Sequence, residues 1–397
     1  MSLSGRAFPR RLGAIASSPT VVYRELAAQV QASGKEVLDL TVGEPNFDTP
    51  AHILRSAVEA LNAGFTHYVH SRGIPELREA ISHKLLEDTG LEYDPEYEIL
   101  VTMGGKQAIF AAVMATIDDG DEVLILDPSW VSYDPIVRLA GGIPVHVPLE
   151  GEDNFRITDD RLTRLLSHHT KMVIVNSPNN PTGRVATSQE LAAVATVAEQ
   201  EDLLVISDEI YERIIFDDAK HVSIASLPGM RKRTLVANGF SKAYAMTGWR
   251  LGFLSGPAEI IDAVLKVYQH SATCATSYGQ KAAVAALEGP QNDLKSMVEE
   301  FEARRDLVVD YLDQIPGLKR PPIQGTFYAF PDISAFGSST RVAKLLLQEG
   351  GVATIPGIAF GAGYDGYLRL SFSVSPERLE LALDSMKRVL GTIPVTK

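Results

Sequence analysis

The chain of 397 residues contains a single cysteine, Cys274, so an internal disulfide is excluded. Thiol content this low fits a reducing cytosol, and a cytoplasmic location is expected. No apolar run approaches the roughly 20 residues a membrane-spanning helix needs. The short basic stretch at residues 1–11 lacks the apolar segment of a signal peptide. Positive charge is also in deficit. There are 37 Lys and Arg against 50 Asp and Glu, a formal net charge of -13. That balance disfavours nucleic acid or an anionic membrane as the main partner. It leaves open small anions, which respond to the local charge of a cleft. Internal repeats, low-complexity tracts and an assignable metal site are absent. So is the glycine-rich fingerprint expected after the first strand of a nicotinamide dehydrogenase. What is present is ordinary globular composition, 45% hydrophobic and 22% charged.

Short apolar runs recur at residues 99–102, 123–126, 172–175, 203–207, 235–237 and 251–255. Helix-like segments such as 107–117 and 188–201 lie between several of them. Runs apolar on both faces and separated by helices predict an α/β fold with a largely parallel, buried sheet. Polar residues follow the carboxyl ends of the runs: Gly104 and Gly105, Asp127, Asn176, Asp208, Asn238. In open α/β sheets ligands bind at that edge. Past Gly289-Pro290 the pattern changes. A long helix at 292–314, short strands near 327–330, 352–355 and 367–372, and helices at 341–349 and 377–389 predict a smaller α+β domain. The expected division is 47–290 for the large domain, with 1–46 and 291–397 forming the small one.

Lys242 ends a strand-like run on a Gly-containing turn, and Arg250 follows eight residues later. A lysine held against a sheet is partly desolvated, which lowers its pKa and frees a nucleophilic amine. Arginine suits a phosphate. An imine-forming lysine near a phosphate anchor suggests pyridoxal phosphate. Other segments add to this, each with a plainer alternative. Gly104-Gly105-Lys106 opens a helix and could cradle a phosphate, or be a tight turn with Lys106 in solvent. Trp130 could stack on a flat ring or plug the sheet edge. Ser177-Pro178-Asn179-Asn180-Pro181-Thr182-Gly183 is a stiff loop that would fix Asn180. Asp208, sheltered at a strand end, needs a partner such as a protonated ring nitrogen, or is a helix cap. Tyr211, three residues on, could reach an adjacent ring oxygen. Arg369, flanked by Leu368 and Leu370, needs an anion, either a substrate carboxylate or a structural ion-pair partner.

In order and spacing these segments resemble class I pyridoxal-phosphate aminotransferases of fold type I, closest to the bacterial aspartate aminotransferase subgroup. The stretches that carry the likeness are TVGEPNFDTP (41–50), GIPELREAI (73–81), GGKQA (104–108), SPNNPTG (177–183), SDEIYE (207–212), SKAYAMTGWRLG (241–252) and the late Arg369. The resemblance implies a mostly parallel seven-stranded sheet between helices, and it assigns roles. Lys242 would bond the cofactor aldehyde and shuttle a proton. Asp208 would pair with the ring nitrogen, and Tyr211 and Asn180 with the ring oxygen, while Trp130 stacks. Gly105 and Lys106 backbone amides and Arg250 would hold the phosphate. Tyr68 would reach the neighbouring subunit's phosphate, which implies a homodimer. Arg369, the Gly43 backbone and Asn180 would hold the substrate α-carboxylate, and the small domain would close over it.

Two departures stand out. Gly239 occupies a position where many members carry a phosphate-binding Ser or Thr. The stretch SATCATS (271–277) has no arginine for a side-chain carboxylate; Lys106 and Thr20 match the residues that the nearest subgroup uses instead. Dicarboxylic amino and 2-oxo acids are therefore the expected substrates: aspartate, glutamate, prephenate or arogenate. An aromatic or broad-specificity aminotransferase and a β-lyase on the same scaffold are the alternatives. A cofactor-sensing regulator is disfavoured by the acidic balance. Cis peptide bonds are expected at Asp127–Pro128 and Asn180–Pro181.

Overall fold

The computed structural model describes residues 10–394, so most of the basic stretch 1–11 lies outside the described residues. Its main sheet has seven strands: β1 (Ile99–Thr102), β2 (Glu122–Asp127), β3 (Ile143–Pro148), β4 (Thr170–Asn176), β5 (Leu204–Asp208), β6 (Thr234–Gly239) and β7 (Gly252–Ser255). Their spatial order is β1-β7-β6-β5-β4-β2-β3. The pairs from β6 to β3 run parallel; β7 is antiparallel to both its neighbours. Every residue of β1, β6 and β7 is buried, as the continuous apolar runs required. Edge strand β3 alternates instead, with Ile143 and Pro148 exposed. Helices cover both faces. One side packs the helices Gly105–Thr116 and Ala258–Ser271 on Leu100, Ile125, Ile174 and Ile206. The other packs helix Ser188–Gln200 on Leu124, Val173 and Val205. A capping box starts that last helix, with Thr187 and Glu190 satisfying each other's backbone amides.

Register sets the working edge. Asn176 lies opposite Asp208, and Asp208 opposite Ala237, so β4 and β5 end at one level and β6 runs on to Gly239. Three further strands form an antiparallel sheet in the order Ile355–Pro356, Leu368–Ser371, Tyr328–Ala329. The strand expected at 352–355 is divided. Val352–Ala353 pairs with Leu38–Asp39, and Ile355–Pro356 pairs with Leu368–Ser371. Each half has a different neighbour, which a single apolar run cannot reveal. Helix Pro19–Ala32 starts on a proline at its first position and packs Ala27 against Val37, Leu347 and Ala353. Among the described residues, no helix is long and apolar enough to cross a membrane.

One loop expectation is corrected. The cis bonds are Asp127–Pro128 and Ser177–Pro178; Asn180–Pro181 is trans. The reversal after β4 comes earlier than expected, because Asn179 closes the turn around Pro181. Its side-chain oxygen accepts from the Thr182 amide (3.1 Å) and hydroxyl (2.8 Å), and its carbonyl accepts from the Gly183 amide (2.9 Å).

Candidate active site

The carboxyl edge of the sheet opens on a cavity of about 350 Å³. Eleven residues singled out in the sequence line it: Thr20, Gly43, Gly105, Lys106, Trp130, Asn180, Asp208, Tyr211, Lys242, Arg250 and Arg369. Tyr68 is not among them. It is 87% exposed and lies outside the cavity of the single chain.

Lys242 follows β6. Its amine faces the cavity and donates to the Gly43 carbonyl. The side chain is half-buried, and desolvation lowers the pKa of its amine to about 8. Glu44 opposes that shift, and Arg250 and Arg369 add to it. Asp208 ends β5, fully buried. Burial raises its pKa to about 6, while hydrogen bonds from the Tyr133 hydroxyl (2.6 Å) and the Ile210 amide (3.4 Å) favour the anion. Desolvation thus moves the base and the acid toward each other, and between pH 6 and 8 both still carry charge.

Gly104 adopts φ +82°, and a Cβ there would meet the Arg250 guanidinium at 2.9 Å. Glycine is what lets the helix start approach that cation. The amides of Gly105 and Lys106, in the first turn of helix Gly105–Thr116, have no intrahelical acceptor. Arg250 itself sits at φ +53° and donates to the Thr247 carbonyl at 2.9 Å. That left-handed backbone costs about 1 kcal/mol, maintained by the turn that aims the guanidinium. The Lys106 amine lies 4.9 Å from the centre of the Trp130 ring, and burial, with Arg250, lowers its pKa.

Arg369 is buried on strand Leu368–Ser371. It donates to the Asn180 side chain (3.2 Å) and to the Thr41 carbonyl (2.8 Å), while its Nε has no partner. No carboxylate pairs with it among the described residues, so the ion-pair alternative is not what the structure contains. Asn180 is held in turn by the Asn176 side chain at 2.9 Å.

Gly239 has a packing reason. A Cβ would lie 2.9 Å from both the Gly252 Cα and the Leu251 carbonyl oxygen, backbone atoms at the start of β7 and just before it. Serine or threonine does not fit without moving that strand.

Sequence reasoning missed four lining or bracing residues. Tyr133 holds Asp208. Tyr328 touches the Tyr211 hydroxyl (3.2 Å) and lies under Arg369 (4.4 Å). Glu44 accepts from the Thr247 hydroxyl at 2.7 Å, 203 residues away. Arg24 reaches in from helix Pro19–Ala32. Only Tyr133 had a local signal, being one helical turn past Trp130. Behind the site, Glu209, Glu212 and His221 come close enough to hold a cation. Their charge is already met: His221 contacts Glu209 at 3.1 Å, and Lys84 pairs with Glu212.

The family model for "Aminotransferase class I and II" matches residues 35–386. The chain belongs to this family. It is an aminotransferase of fold type I. It is 46% identical over 364 residues to an aspartate aminotransferase of Pyrococcus abyssi, covering 91% of this chain and 93% of that one. It is 43% identical over 357 residues to aromatic-amino-acid aminotransferase 2 of Thermococcus litoralis, covering 89% and 92%. Among solved structures, the Thermus thermophilus aspartate aminotransferase with maleate superposes with a TM-score of 0.92 at 40% identity, over 97% of this chain and 100% of that one.

Proposed function

We propose that this aminotransferase uses pyridoxal 5′-phosphate to move an amino group from an L-amino acid to a 2-oxo acid by a ping-pong course. Dicarboxylic pairs are its preferred substrates: aspartate or glutamate with 2-oxoglutarate or oxaloacetate. The observation that carries the reading is one amine, Lys242, with its pKa brought to about 8 in the same cavity as Asp208, Arg250 and Arg369. The donor set fits the cofactor. Arg250, Gly105 and Lys106 converge around the Gly104 turn as a phosphate cradle would. Asp208 is an anion suited to a protonated ring nitrogen, Trp130 is a stacking face, and Tyr211 and Asn180 supply polar groups for the ring oxygen.

When bound, the cofactor supplies an aldehyde that condenses with amines and a ring that draws electrons from the substrate Cα–H bond. The chain's residues do the rest. With a pKa of about 8, roughly a tenth of Lys242 is neutral at pH 7, against well under a thousandth for an ordinary lysine. That neutral amine takes the Cα proton as general base and returns it as general acid. Arg369 and Asn180 orient the α-carboxylate, with the partnerless Arg369 Nε as a free donor. Lys106 and Thr20 face the distal carboxylate. Thr20, Gly43 and Arg369 belong to the small domain (1–46 and 291–397), and the cofactor groups to the large one (47–290), so closure of one on the other excludes water. A homodimer with Tyr68 serving the neighbouring site is supported by that exposed phenol and by Leu54, Val58 and Leu61, exposed along helix Ala51–Asn62. The lone Cys274 supports a reducing cytosolic setting.

A second reading, aromatic or broad specificity, is favoured by the Thermococcus relative's name and by the apolar Val21 and Ile109 in the cavity lining. Borohydride reduction of the yellow enzyme followed by peptide mass mapping tests the main proposal. The expected adduct is on residue 242 and is lost in Lys242→Ala. Protein that stays colourless after saturation with the cofactor, with no adduct, overturns it. Ranking the bleaching rates for the twenty amino acids then separates the two substrate readings.

A further inference from the structure

The lining of the cavity holds five cations, Arg24, Lys106, Lys242, Arg250 and Arg369, against two carboxylates, Glu44 and Asp208, in a protein of net charge -13. Most of these cations have work assigned. Arg250 faces the phosphate cradle, Lys242 is the amine, Arg369 takes the α-carboxylate, and Lys106 sits over the Trp130 ring. Arg24 is left over. Its exposed side chain has neither hydrogen-bond nor ion-pair partner among the described residues. It lies one turn after Thr20 on helix Pro19–Ala32, so both side chains share the helix face that borders the cavity. That helix packs on Val37, Leu347 and Ala353, next to strand Ile355–Pro356, where Ile355 pairs with Arg369. Arg24 and Arg369 therefore sit on one packed unit, and both line the cavity that Lys106 and Trp130 also line.

A ping-pong aminotransferase admits both of its acids to one site. A four-carbon and a five-carbon dicarboxylate differ by one methylene, about 1.3–1.5 Å of reach, which a single fixed cation serves unequally. We propose that Arg24 is a specificity-determining residue that receives the second carboxylate of the longer, five-carbon acid, while Lys106 serves the shorter. This rests on the dicarboxylate reading above. Guanidinium suits the role because its planar fork binds a carboxylate through two parallel N–H donors.

The test uses the cofactor-loaded enzyme and the variants Arg24→Met and Arg24→Lys. Steady-state kinetics are measured with 2-oxoglutarate, oxaloacetate and phenylalanine, and binding of the unreactive acids glutarate, succinate and benzoate is measured by calorimetry. Arg24→Met is expected to raise the KM for 2-oxoglutarate and the Kd for glutarate about tenfold, the scale of one lost charge-assisted contact. The oxaloacetate, succinate, phenylalanine and benzoate values should stay within about twofold, and Arg24→Lys should recover much of the glutarate affinity. A change below twofold for both five-carbon acids, or an equal loss for phenylalanine and benzoate, overturns the assignment. The wild-type arm checks the parent reading separately. If wild type turns over phenylalanine but neither dicarboxylate, that reading falls and this one with it.

Discussion

Removing one hydroxyl, in Tyr133→Phe, tests whether Asp208 is kept ionised by its protein partners. The Tyr133 side chain is buried, and its hydroxyl donates to Asp208 at 2.6 Å. Burial alone drives the Asp208 pKa upward, and this hydrogen bond is the largest force holding it down, at about 6. A hydrogen bond to a charged group contributes about 1.5–3 kcal/mol. At 1.36 kcal/mol per pKa unit, its loss raises the carboxyl by about 1–2 units. The anion is the form that pairs with a protonated ring nitrogen, so the acid limb of kcat/KM should move to higher pH by that amount. Activity near pH 9 should be largely retained. Tyr133→Phe fills the same volume, so a general packing defect is not expected. The assay is a kcat/KM profile from pH 5 to 10 with one amino acid, for wild type and variant. An acid limb displaced by less than about 0.3 units would refute the reasoning, as would a uniform loss at every pH.

The remaining predictions draw on the same geometry. Arg369→Ala should lower kcat/KM by about 2–5 kcal/mol equivalent, the range for unpairing a buried charge; a loss under about 0.5 kcal/mol would make Arg369 structural. Asp208→Asn should abolish transamination yet stabilise the cofactor-free protein at pH 7 by about 1–3 kcal/mol in urea unfolding. A carboxyl whose folded pKa lies above its unfolded one destabilises the fold as pH rises from about 4 to 6, and the amide removes that charge. Gly239→Ser should destabilise by about 1–3 kcal/mol, because its Cβ meets backbone; unchanged stability with tighter phosphate binding would show that β7 can yield. His146, raised to about 9 by its hydrogen bonds to Asp127 (2.8 Å) and Asp134 (3.0 Å), contributes stability below about pH 6.5 that is lost as pH rises through 9. With 40% of the side chain exposed, His146→Gln should cost only about 1 kcal/mol at pH 6, and urea titrations of the two proteins should converge near pH 10.

Much of this was legible in the chain because parallel strands buried on both faces leave continuous apolar runs, and β1, β4, β5 and β6 fall where those runs do. The polar residues just past the runs marked the working edge for the same reason, since a buried strand has to end before it can carry Asp208 or Asn176. Contacts between distant segments left no such trace. Glu44 and Thr247 are each unremarkable in sequence and acquire meaning only when 203 residues of chain bring them to 2.7 Å. Tyr328 and Tyr133 look like core aromatics because they are core aromatics; the Tyr133 hydroxyl reaches Asp208, and the Tyr328 ring and hydroxyl reach Arg369 and Tyr211. Gly239 reads as a missing donor, whereas the close approach of β6 to Gly252 and Leu251 leaves a side chain no room without a backbone shift. The turn around Pro181 was misjudged because Asn179, rather than the proline, sets its path.

The cost of the site explains where these unread residues stand. Desolvation acts on Asp208 and Lys242 in opposite directions, up to about 6 and down to about 8, and either shift carried further would neutralise its group at physiological pH. An ionised Asp208 needs donors that are not themselves acids, and Tyr133 and the Ile210 amide meet that condition. A lysine that is both protonated and within reach of neutrality needs a carboxylate near but not bonded to it. Glu44 is such a group, because the Thr247 hydroxyl holds its oxygen and no ion pair with Lys242 forms among the described residues. Replacing Thr247 would free Glu44 to approach the amine and raise its pKa. The neutral fraction at pH 7 would then fall toward that of an ordinary lysine. Residues that never touch the substrate are thus what keep the base usable, and they are drawn from segments far apart in sequence because no single strand end has room for them.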